Sequence, residues 1–290
     1  MNVLLYSHVP LWEVHYAETI ELALRHYHLK DKVVLFSCTG ELTSCPANAT
    51  HKLDICDVCA DQTQYSNKGI LKGKIIDIRV APVNEKLILP EFLSIDDVLN
   101  YTYDDFPIGE LAISQLVNET RDSYMDIAIV KDRLALLIGS GVALYEQTRR
   151  EIKNQKINRV YAWNGRRCSD GPVLYAAKKE GVEYYSHISV GPKTSFLLKN
   201  QIKVQSLVEN KNDILRAVNS ELLKGNLNRV ESEAKIFFEN QRYGTLKYNG
   251  SIHFGKNFDP CKDMPLKIKG APIAIFTSRR LLQNSPFEVN

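Results

Sequence analysis

Four cysteines, Cys38, Cys45, Cys56 and Cys59, crowd into the stretch 38–61. Tetrahedral zinc takes four thiolates, and the C-x-x-C pair Cys56/Cys59 could chelate one side of the ion. The interval between Cys38 and Cys45 is longer than in a usual zinc knuckle, so structural zinc competes with a plainer reading as small buried residues beside a sheet. A redox pair at Cys56/Cys59 is a third reading, although the motif does not open a helix directly after a strand as that chemistry requires. A second group is Asn164-Gly165-Arg166-Arg167. Gly165 permits a tight turn, and the fork of Arg166 or Arg167 can pair bidentately with a carboxylate or phosphate of a substrate. Ser169 or Asp170 could cap the helix behind the turn. The plainer reading is a solvated connection. His187, with Gly191 in the loop after it, offers a base or hydrogen-bond donor, or a structural polar group. Glu18 reads first as a favourable charge in a first helical turn.

These groups are placed by apolar runs. Asn2–Ser7 and Lys32–Ser37 read as buried parallel strands. Between them Glu13–His28 carries Val14, Ala17, Ile20, Leu24 and Tyr27 at helical spacing. Strand, helix and strand of these lengths make a right-handed βαβ unit. The segment 38–61 reads as a loop or small insert beside the sheet. Lys74–Val80 reads as a further strand, whereas Leu93–Asp105 has no clear period. Ile108–Thr120 and Ile127–Gln155 are helical by period, with Gly139 and Gly141 marking a kink or break. A second such unit follows, with strand Arg159–Trp163, helix Pro172–Glu180 opened by proline, and strand Val182–Ile188. Helices are expected over Lys211–Lys224 and Leu227–Tyr243, a linker over 246–271, and an apolar strand over Pro272–Thr277. The fold class is therefore α/β, a Rossmann-like parallel sheet flanked by helices, with extra helices. The expected organisation is a domain over 1–245 with a Cys-rich insert at 38–61, the linker, and the start of a second Rossmann-like domain over 272–290.

The chain has 290 residues, 44% hydrophobic and 24% charged, with net charge +3. That balance is globular and argues against a nucleic-acid binder relying on a broad basic field. Peripheral contact with anionic lipid is compatible with it. The N-terminus lacks a basic region before its apolar run and reads as a strand, not a signal peptide. The apolar run around Leu134–Leu144 is too short to span a bilayer. The expected compartment is therefore cytoplasmic, where disulfides are rare and the triplet Asn48-Ala-Thr50 is not glycosylated. The first connection lacks the G-x-G-x-x-G fingerprint, and there is no Walker loop, which disfavours a dinucleotide-binding enzyme and a P-loop enzyme.

Five stretches carry a resemblance: His15-Tyr-Ala-Glu18, SCTGELTSCPAN with ICDVC, PIGELAISQL at Pro107–Leu116, YAWNGRRCSDGPVLYAA at Tyr161–Ala177, and FFENQRYG at Phe237–Gly244 followed by IAIFTS at Ile273–Ser278. In this order they resemble the N-terminal half of bacterial capsule and surface polysaccharide biosynthesis proteins with GT-B glycosyltransferase-like architecture. The resemblance implies two Rossmann-like domains facing a cleft, the first taking the acceptor and the second the nucleotide sugar. It puts the first strand-to-helix connection at that cleft. There His8, His15 and Glu18 would orient an acceptor hydroxyl beside Asn164, Gly165, Arg166, Arg167 and Gly191, with His15 and His187 as the catalytic candidates. IAIFTS would begin the donor domain, and RRLLQNSPFEVN stands where the rest would follow. The expectation is a truncated or partner-dependent glycosyltransferase at the inner face of the membrane, using a nucleotide sugar only if a donor domain is supplied. Its partners would be a glycan or lipid-linked acceptor and a partner subunit. The alternative is a non-catalytic module that binds a sugar or docks in a biosynthetic complex.

Overall fold

The computed structural model describes residues 1–7, 9–71, 75–81, 87–189 and 196–242. The described residues fall into two compact units. One holds residues 1–188 and 196–204 and carries the sheet; the other holds the two long helices after residue 205.

Among the described residues the sheet has six strands: β1 (Asn2–Ser7), β2 (Lys32–Ser37), β3 (Ile76–Arg79), β4 (Arg159–Trp163), β5 (Glu183–Ser189) and β6 (Phe196–Lys199). Their order is β3-β2-β1-β4-β5-β6, and β1–β2, β1–β4, β2–β3 and β4–β5 all pair parallel. This is the Rossmann-like α/β fold expected from the sequence. The inner strands are buried on both faces, so they read as continuous apolar runs rather than as an alternation. Leu4, Tyr6, Val34, Phe36, Val160 and Ala162 point to one face, where Leu144 and Ile152 of helix α5 (Ile127–Asn154) and Val173, Leu174 and Ala177 of helix α6 (Gly171–Lys179) cover them. Val3, Leu5, Val33, Leu35 and Tyr161 point to the other face, against Ile20, Leu22 and Ala23 of helix α1 (Glu13–His28).

Helix α1 is not buried along the face that its apolar spacing predicts. Its buried residues are Glu18, Thr19, Ile20, Leu22, Ala23 and His26, while Ala17 is exposed. Polar partners account for the rotation: His26 bridges Asp31 at 2.7 Å and the Tyr161 hydroxyl at 2.9 Å, and Glu18 meets a histidine of β5. Residues 53–65 are not loop but helix α2 (Leu53–Tyr65), continued by a π-helical turn over Ser66–Ile70. Its buried stripe is Cys56, Cys59 and Thr63, a helical period carried by residues that do not register as apolar. Leu93–Asp105 contains helix α3 (Ile95–Leu99), opened by a capping box between Ser94 and Asp97.

Helix α4 (Ile108–Thr120) and α5 form an annex whose core includes Leu111, Leu116, Leu134, Leu137 and Ile138. Helix α5 runs unbroken through both glycines. Gly141 is there for closeness: a Cβ would stand 2.5 Å from Ile108 Cδ1. The second unit holds α7 (Leu207–Leu223) and α8 (Leu227–Arg242), and no residue of α7 is buried. The linker over 246–271 and the strand over 272–277 lie outside the described residues. No helix of the described residues is long and apolar enough to cross a membrane.

Candidate functional site

Strand order reverses between β1 and β4, and in such sheets the crevice beyond the strands' C-terminal ends at that point is where ligands bind. The chain leaves β4 through two left-handed residues, Asn164 (φ 60) and Gly165 (φ 83). Asn164 N–H donates to the His187 carbonyl at 3.0 Å, and the Asn164 carbonyl accepts from Val204 N–H at 3.2 Å. Gly165 is required here: a Cβ would lie 1.7 Å from the Ile202 carbonyl oxygen. The turn is thus locked under residues 202–204 and presents Arg166 and Arg167 in a fixed place.

The edge brings His15, Glu18 and His187 together. Glu18 sits in the second turn of α1, beyond the first-turn position that its charge alone suggests, and is 6% exposed. One carboxylate oxygen accepts from His187 Nδ1 at 2.7 Å; the other is 3.6 Å from His15 Nδ1. The carboxylate bonded to His187 Nδ1 sets that ring to the tautomer protonated there, while His15 Nδ1 stands at ion-pair distance from the same carboxylate. His187 is wholly buried, whereas His15 is 30% exposed. His15 is therefore the ring that can reach a ligand, and His187 holds Glu18.

Sequence reasoning missed the two tryptophans, the only ones in the chain. The His15 ring lies 4.5 Å from the Trp163 ring, and Trp12 meets Trp163 at 5.2 Å, edge to face. The Arg167 guanidinium lies 5.0 Å from each indole centre. Trp12 stands in the connection before α1 and Trp163 is the last residue of β4, both at the same sheet edge, which is the signal that could have singled them out. Asp170 is the residue before α6 but its side chain makes no cap there; it turns back to accept from Arg167 N–H at 3.0 Å. Burial raises the Asp170 carboxyl to about 6 against the pull of Arg167 and Arg166, and lowers Arg167 to about 10.

A recess of about 10 Å³ lies among Tyr6, Ser7, Val9, Trp12, His15, Tyr16, Thr19 and Trp163. That is room for one water or one hydroxyl oxygen. Ser7 Oγ, buried, has no hydrogen-bond partner among the described residues. His8 and Gly191 lie outside the described residues.

The four cysteines share a neighbourhood in which Cys45, Cys56 and Cys59 feel one another's charge. Among the described residues, however, no three or more His, Cys, Asp or Glu side chains are placed to hold a metal ion. Burial pushes the Cys38 thiol up to about 12 and those of Cys45 and Cys59 to about 11. Cys56 Sγ instead accepts from Asn48 Nδ2 at 3.2 Å. The expected structural zinc thus has no such group to hold it among the described residues.

No family model and no curated protein matches the chain. Among solved structures it is similar to the glycosyltransferase VinC in complex with dTDP, at 14% identity and TM-score 0.29 over 63% of this chain and 33% of that one. It is also similar to tyrosyl-tRNA synthetase complexed with L-tyrosine from Archaeoglobus fulgidus, at 7% identity and TM-score 0.32 over 62% and 50%. The chain thus spans about a third of one and half of the other, and likenesses at these scores carry no argument about activity.

Proposed function

We propose that this chain is a glycosyltransferase-type protein and that its sheet-bearing unit takes the acceptor sugar at the β1/β4 edge. The observation that carries the reading is the Glu18 carboxylate between two imidazoles, 2.7 Å from His187 and 3.6 Å from His15, beside an aromatic surface. Sugars present hydroxyls at their edges and C–H faces to aromatic rings. An acceptor hydroxyl fits the recess between His15 and Ser7, with its ring over Trp12. His15 takes the hydroxyl proton as the oxygen attacks the anomeric carbon of a nucleotide-sugar donor, the bond from that carbon to the diphosphate breaks and the nucleoside diphosphate leaves, and Glu18 is the positioning residue. The donor, a nucleotide sugar, would be held by a second domain, where a helix N-terminus and basic groups suit a diphosphate. A role in capsule or surface polysaccharide synthesis is the setting that the five sequence stretches suggest.

The test is sugar transfer by the purified protein across a panel of nucleotide sugars and glycan acceptors. His15→Ala should lower turnover about 10²-fold or more with acceptor affinity little changed, and Glu18→Gln should displace the pH profile of turnover. Saccharide binding that depends on Trp12, with no turnover from any donor, would instead establish a non-catalytic sugar-binding module.

A further inference from the structure

The sheet takes only part of the apolar stripe of α1. Ile20, Leu22 and Ala23 are buried against it, while Ala17 is exposed and Leu24 half-buried. The rest of the stripe faces a groove. Tyr16, Ala17, Ile20 and Leu24 form one wall of a cavity of about 550 Å³, and Val58 and Tyr65 of α2 with Ile70 of the π-helical turn form the other. Val58, Tyr65 and Ile70 are 50%, 73% and 45% exposed, so that wall stands in water unless something lies against it. A contiguous apolar surface in a concavity of this volume has the character of a small-molecule site.

The charge around the groove has one sign. Among the described residues the charged groups in its lining are Glu13, Glu21 and Asp61. Glu21 is already met by Arg25 Nε at 2.7 Å. Glu13 and Asp61 form no ion pair among the described residues. The last turn of α2 holds no basic residue to offset Asp61, and Lys68, which shares an adjoining hollow with it, makes no ion pair with it. A ligand that fills an apolar groove displaces water and lowers the dielectric beside the rim. A neutral occupant would therefore sharpen the repulsion among these carboxylates, an anion would add to it, and a cation relieves it. The Tyr16 and Tyr65 rings favour positive charge as well.

We propose that this groove is a second ligand site and takes a small organic cation, an apolar body carrying a protonated amine or quaternary ammonium group. The body lies between α1 and α2, and the charge lies at the acidic rim. Tyr16 lines both this groove and the recess at the sheet edge, but the inference does not rest on the acceptor reading.

Nuclear magnetic resonance of the protein with labelled Ile, Leu and Val methyl groups tests it, at constant ionic strength, with 4-phenylbutylamine, 4-phenylbutanol and 4-phenylbutyrate. The three probes share one body and differ in charge. The amine should shift the methyls of Ile20, Leu24, Val58 and Ile70 with a millimolar or lower Kd. It should bind at least about tenfold more tightly than the alcohol, and the acid no better than the alcohol. Glu13→Gln combined with Asp61→Asn, both at exposed positions, should bring the amine to within about threefold of the alcohol and leave the alcohol unchanged. Ala17→Trp fills the groove from an exposed position and should remove the binding of both. Should it fail to fold, Val58→Arg on the opposite wall should remove the amine. Equal binding of the three probes, or an amine preference that survives loss of both carboxylates, would overturn the proposal. So would an amine that leaves those four methyls unmoved. None of these outcomes bears on sugar binding at the β1/β4 edge, which is tested separately.

Discussion

Arg149 and Arg167 are the same side chain in two kinds of surroundings. Arg149, on α5, donates from Nε to Glu180 at 2.6 Å and from Nη1 to Asp104 at 3.0 Å and Glu146 at 3.3 Å, with the Tyr145 ring 5.4 Å from its guanidinium. Lys179 and Lys153 complete the cluster on Asp104 and Glu180. There carboxylate and cation alternate, and the network ties α5 to α6 and to the Asp104 turn. Arg167 is more deeply buried and less well served. A protein can leave an exposed charge loosely paired at little cost, but not a buried one. Among the described residues the Arg149 cluster is finished and belongs to the scaffold, whereas Arg167 keeps unpartnered donors at the edge where the strand order reverses.

That contrast can be broken or sharpened by substitution. The largest effect is expected at the turn itself. Gly165→Ala adds a Cβ 1.7 Å from a backbone oxygen at φ 83, so chemical denaturation should show a loss of about 4 kcal/mol or more. Gly139→Ala in the annex, with nothing within 4 Å of the added carbon, should instead gain up to about 1 kcal/mol.

Asp170 comes next. Its carboxyl is raised from 3.8 to about 6, so the folded protein holds that proton more tightly than the unfolded chain. Its contribution to stability is therefore greatest below about pH 4 and is lost as the pH rises to about 6. Asp170→Asn keeps an acceptor for Arg167 N–H. Urea denaturation across that window should show the unaltered protein losing about 3 kcal/mol that the variant does not. A third test is Arg149→Met, which leaves three carboxylates without this cation and should cost about 1–2 kcal/mol in chemical denaturation. The smallest effect is expected in the second unit. Arg216→Ala removes an exposed contact to Asp213 and should change stability by less than about 0.5 kcal/mol.

Much of the sheet was legible. Asn2–Ser7, Lys32–Ser37 and Arg159–Trp163 are strands with the bounds that their apolar runs suggest, because strands buried on both faces leave an uninterrupted signal. Helix α2 was not legible, since cysteine and threonine form its buried stripe. Nor was β6, whose Phe196–Lys199 is too short to show a period. For the site, the turn at 164–167 could be placed because a polar run follows a buried strand. Its energetics could not. Glu18 looked like an ordinary helix-start charge because its partner His187 is 169 positions away, and the indoles beside Arg167 come from Trp12 before α1 and Trp163 at the end of β4, far apart in the chain.

The two tryptophans have a practical consequence. All of the chain's indole emission originates at one sheet edge, where a cation sits 5.0 Å from both rings. Intrinsic fluorescence of the unlabelled protein is therefore a local optical probe rather than an average over the molecule. A ligand that draws the guanidinium away or lifts Trp12 into water will change intensity and colour together. The emission of Trp12→Phe then isolates Trp163, the more buried of the two, so the order in which cover and floor respond can be followed without any added dye.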